Sequence, residues 1–102
     1  MEKKQITSLN ELNPKKIIIG ESETGTGLFI VNDIYHKHSE GRSDLKLIEI
    51  NQYFTTWGMT LSSNCNEKKQ FISPYNEAFA FSFYETEFTI EEVADLLLIY
   101  LK

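Results

Sequence analysis

One cysteine, two prolines and a single arginine stand among the 102 residues, and no apolar stretch is long enough to cross a membrane. Each scarcity excludes something. Cys65 alone cannot form an internal disulfide, and small exported domains usually rely on several, so a reducing cytoplasm is the expected setting. The basic start Met1-Glu2-Lys3-Lys4 runs into Gln5, Ile6, Thr7 and Ser8 rather than the apolar run of a secretion signal. With its loop neighbours Asn64 and Asn66, Cys65 reads as a surface bystander. Arg42 is the sole arginine and the Lys pairs at 3–4, 15–16 and 68–69 are scattered. Phosphate contacts need clustered cations, so no nucleic-acid partner is expected.

Motifs for catalysis, metals or cofactors are equally thin. Gly20 and Gly25 have the glycine spacing of a phosphate loop, but Thr26-Gly27 replaces the Lys-Ser/Thr pair, and Glu21 and Glu23 repel phosphate. His36 and His38, with Glu40 close by, form the only cluster of metal-capable side chains, and in an extended segment residues two apart point the same way. Zinc needs three or four protein ligands, whereas the chain has no other histidine. The same pair could serve as acid and base in phosphodiester chemistry. A small enzyme using His36 and His38 therefore stays as an alternative, with no cofactor or metal expected.

What is present is a packable core and a one-sided charge. Apolar residues make up 41%, with seven Phe, five Tyr and one Trp, which is ample for one globular domain over residues 1–102. Residues 1–76 carry nine acidic and nine basic side chains, which cancel; residues 77–102 carry Glu77, Glu85, Glu87, Glu91, Glu92 and Asp95 against Lys102 alone. Six minus one accounts for the whole net charge of -5. Such a field attracts basic partners and repels acidic ones.

The spacing of Ile6, Leu9 and Leu12 predicts one or two helical turns ending near Pro14. Ile17, Ile18 and Ile19 read as a strand buried on both faces, and residues 28–35 and 45–50 as two more, linked by polar loops carrying Gly25-Thr26-Gly27 and Gly41. Residues 53–61 alternate with period two, which places Tyr53, Trp57, Met59 and Leu61 on one inward face. A short edge strand begins at Phe71 and Ile72. In residues 78–87, Phe79, Phe81 and Phe83 face one way, and Ala78, Ala80 and Ser82 the other.

A helix then starts at Thr89, with Glu92 completing a capping box and Phe88 placed to meet Val93 as a hydrophobic staple. Its apolar stripe holds Ile90, Val93, Ala94, Leu97 and Leu101, widened by Leu96, Leu98 and Tyr100. Ile99 falls on the acidic side, either covered by another segment or exposed for a partner. The expected fold class is α+β: a mostly antiparallel sheet of five or six strands, with a short N-terminal helix and a C-terminal helix packed on it.

The candidate partner-binding residues are accordingly Glu85, Glu87, Glu91, Glu92, Asp95 and Ile99. Clustered carboxylates raise association rates with a cationic cleft, such as a nuclease must expose. In overall organisation the chain resembles the small acidic immunity proteins that bacteria make against contact-dependent growth-inhibition toxins. That resemblance implies a cytoplasmic inhibitor that blocks a basic toxin and performs no chemistry, acting as a monomer or weak dimer. A small homo-oligomeric structural or regulatory subunit, assembled through Ile99 and its helix, is the other alternative.

Overall fold

A computed structural model describes the backbone of residues 4–100 and the side chains of residues 4–95. The described residues form seven strands and one α-helix, besides two short 3₁₀ turns: β1 Gln5–Ile6, β2 Ile17–Ser22, β3 Gly25–Lys37, β4 Arg42–Glu49, β5 Thr56–Ser62, β6 Phe71–Ser73, β7 Asn76–Glu85 and α1 Ile90–Tyr100. The strands form one antiparallel sheet in the order β1-β7-β2-β3-β4-β5, with β6 also paired to β7. The sheet curls back on itself. Ser8, just after β1, bridges Asn64, just after β5, and the Leu9 N–H donates to the Ser63 carbonyl at 2.9 Å.

Curling divides the apolar residues between two faces. Inside lie Ile6, Leu9, Leu12, Ile18, Phe29, Val31, Leu45, Leu47, Met59, Leu61, Phe71, Phe81 and Phe83. Outside, Ile17 and Ile30 meet Val93 of α1, flanked by Leu28, Ile48, Ile50 and Ile90. The isoleucine run is thus buried on both faces because successive strand residues point opposite ways. Inside β3 the register shifts between Val31 and Asp33. This bulge at Asn32 lets both Val31 and Ile34 face the interior, which strict alternation would forbid.

Several expectations need correction. Among the described residues there is no N-terminal α-helix: Gln5 and Ile6 pair with Tyr84 and Phe83 as β1, and Leu9–Glu11 forms a single 3₁₀ turn capped by the Ser8 hydroxyl. The period of three in Ile6, Leu9 and Leu12 is real, and all three are buried. It arises from a strand followed by a tight turn, since the β7 edge offers Ile6 a ladder that an isolated helix would lack. The strands number seven rather than about five or six, because β1, two residues long, is too short to read locally; the short edge strand expected at Phe71 and Ile72 is β6. The stretch at 53–61 also begins later than its alternation predicts. Phe54 adopts φ 48 and breaks the extended run, which leaves Tyr53 in a turn and 77% exposed.

Other expectations match. Phe81 and Phe83 are buried inside and Phe79 packs against them. Gly25 and Gly41 take the positive φ their turns require. No helix among the described residues is long and apolar enough to cross a membrane.

Candidate functional site

The acidic segment runs out of β7 and into α1, and local hydrogen bonds fix the link between them. The Thr86 hydroxyl donates to the Ile17 carbonyl at 2.8 Å and accepts from the Phe88 N–H at 3.3 Å, which pins the turn to β2. Thr89 then caps the helix: its hydroxyl accepts from the Glu92 N–H at 3.3 Å, and its carbonyl from the Val93 N–H. With Val93 buried against Ile17 and Ile30, the helix is locked in rotation, and Glu91, Glu92 and Asp95 are turned to solvent. Glu87 is exposed in the preceding turn. The expected staple residue, Phe88, keeps 54% of its surface exposed beside them.

Among the described residues no cation pairs with Glu87, Glu91, Glu92 or Asp95. Glu85 is different. Its carboxylate accepts from the Lys16 ammonium at 2.8 Å and lies 3.6 Å from that of Lys4, with only 26% of its side chain exposed. The hydrogen bond and charge of Lys16, aided by Lys4, hold its pKa below the usual carboxylate range. Glu85 therefore leaves the set of partner-facing residues, because the chain's own lysines already match its charge. The side chain of Ile99 lies outside the described residues.

This ion pair makes a pH prediction with a definite sign. A carboxylate whose folded pKa is depressed contributes stability that is present above its unfolded value, about 4.3 for Glu, and is lost as pH falls through the folded value. Glu85→Gln should lower the thermal midpoint at about pH 7 and leave it nearly unchanged at about pH 2, where the wild-type carboxyl is protonated as well. Thermal unfolding of both proteins across that range checks this. An equal loss at both ends would show that the pair contributes nothing.

The histidines sit at the end of β3. The rings of His36 and His38 are 5.5 Å apart, and His36 Nδ1 lies 2.9 Å from the Ser43 hydroxyl, itself 2.8 Å from that of Ser63. Ser43 and Ser63 are buried, so this chain of contacts satisfies hydroxyls that would otherwise be stranded in the core. Among the described residues no three His, Cys, Asp or Glu side chains are placed to hold a metal ion. The Gly20 to Gly25 segment, which resembled a phosphate loop in spacing, is the tight β2–β3 hairpin with Ser22 opposite Gly25, and no helix follows it. Cys65 is half-buried against the inner core.

The alternation of residues 53–61 placed Tyr53 and Trp57 inward, yet Tyr53 is exposed and Trp57 is 39% exposed, and Tyr35 and Tyr75 are exposed as well. The Trp57 indole N–H donates to Glu49 at 3.0 Å, which orients the ring at the rim of the sheet. Beside it a shallow groove of about 350 Å³ is lined by Asn32, Lys46, Leu47, Thr56, Trp57 and Gly58. One signal was available in advance: residues 53–62 contain no charged side chain, unusual for a strand that ends up at the rim. No family model, curated protein or solved structure matches this chain.

Proposed function

We propose that this chain is a binding protein that docks a basic partner through the start of α1 and neutralises it, in the manner of an immunity protein blocking a nuclease-type toxin. The observation that supports this is the set Glu87, Glu91, Glu92 and Asp95: four exposed carboxylates that no cation pairs among the described residues, around a helix start anchored by Thr86, Thr89 and Val93. A fixed anionic patch keeps its field when a partner arrives, whereas carboxylates already paired, like Glu85, have little left to give. Phe88 adds an exposed aromatic surface beside the charges, of the kind that anchors interfaces.

The test is a quadruple reversal, Glu87→Lys with Glu91→Lys, Glu92→Lys and Asp95→Lys, compared with wild type for binding to a partner captured from the native host. Association at low salt should slow by about tenfold or more and lose most of its salt dependence, while the fold survives because all four sites are exposed. For the immunity reading, equimolar wild type should abolish the partner's enzymatic activity and the reversed variant should not. Unchanged association and unchanged salt dependence would remove the carboxylates from the interface.

A further inference from the structure

We propose that β5 is a self-pairing edge, through which two copies of this chain join antiparallel across a two-fold axis at Trp57. This uses different residues from the carboxylates above and does not depend on them. β5 ends the sheet order: among the described residues its ladder bonds go to β4 only, and β6 lies close to it without pairing. The Glu49 N–H donates to the Thr55 carbonyl at 2.7 Å, and in an antiparallel ladder the bonding direction alternates from residue to residue. Thr55, Trp57 and Met59 therefore turn their backbone groups toward β4, while Thr56 and Gly58 turn theirs away. Among the described residues nothing bonds those outward groups. Thr56, Trp57 and Gly58 are all exposed.

Edges of this kind are normally blunted by lysine, proline, a bulge or a covering segment. Residues 54–62 hold no charge and no proline, and the β4–β5 register runs without a shift. A second copy fits because the segment is complementary to itself. With the axis at Trp57, Thr56 of one copy faces Gly58 of the other and the reverse, and both are hydrogen-bonded pairs. Trp57 then faces Trp57 of the other copy in the intervening non-hydrogen-bonded pair, where side chains come closest and aromatic pairs stabilise most. Each copy carries a net charge of -5, yet this stretch brings no like charges together.

Trp57 is the only tryptophan, so an exciton couplet between indoles in the far-ultraviolet circular dichroism can arise only between copies. Sedimentation across a concentration series should show the mass rising from 11.9 kDa toward twice that value, with the couplet growing in step. Two variants address the edge. Gly58→Pro deletes an outward donor without touching a β4 bond, at a site where an added side chain meets nothing within 4 Å. Trp57→Lys leaves every backbone bond in place and sets two like charges across the axis, so it stands even if the proline variant fails to fold. Each should weaken self-association by about tenfold or more.

A strictly monomeric wild type overturns the proposal. So does a dimer without the couplet, which places the interface elsewhere, or variants that associate as tightly as wild type. A monomer whose Thr56 and Gly58 amides become protected from exchange only when a basic partner binds would assign this edge to that partner instead.

Discussion

Replacing Phe83 by Ala is expected to lower stability by about 3–5 kcal/mol, a large share of the roughly 5–15 kcal/mol that holds a domain of this size together. Phe83 is fully buried and central to the inner core. Its ring stacks on Phe81 at 5.7 Å, lies 5.8 Å from Phe71, and belongs to a residue flanked by Ile6 of β1 and Gly20 of β2. Truncation removes the contact surface of four elements at once, and the strands around it are tied by ladders that resist collapse into the void. Denaturant unfolding checks the magnitude. Tyr53→Ala, at a site 77% exposed, is the control and should stay within about 0.5 kcal/mol of wild type. Similar midpoints for the two variants would mean that the three-phenylalanine stack does not organise the core.

Adding one methyl group at Gly20 is expected to cost about 1–3 kcal/mol, although the backbone there takes no unusual φ. Gly20 and Gly27 pair directly across β2 and β3, and the Phe29 ring lies over both. A Cβ at Gly20 would sit 2.9 Å from Phe29 Cε2, closer than real contacts allow, and 3.2 Å from Phe83 Cε1, tighter than most. One at Gly27 would meet the same ring at 3.1 Å and Glu49 Oε2 at 3.2 Å. The glycines serve the close approach of an aromatic ring rather than a turn. In a double-mutant cycle, Gly20→Ala combined with Phe29→Leu should therefore cost less than the sum of the single changes, with a coupling of about 0.5–3 kcal/mol. Strict additivity would locate the strain elsewhere.

How far the fold could be read ahead depended on whether a segment carried its own partner pattern. Ile17, Ile18 and Ile19, the phenylalanine alternation of β7 and the Thr89 cap announce themselves because each reflects a local period or a local hydrogen bond. β1, two residues long, has no period to show and exists because β7 offers it an edge. The bulge at Asn32 was invisible for the same reason: it is required by what lies beneath Ile34, not by the residues around Asn32.

The candidate site divides along the same line. Composition alone concentrated the negative charge at the C-terminal end, and capping chemistry alone set where α1 begins. Which carboxylates remain available was a tertiary matter, since Lys16 and Lys4 reach Glu85 only once β2 and β1 lie on either side of β7. Trp57 shows the limit most clearly. Its alternation correctly assigned the face it shares with Met59 and Leu61, but only the strand order made β5 the rim, because burial is a property of neighbours and a strand carries no record of which of its edges will be left without one.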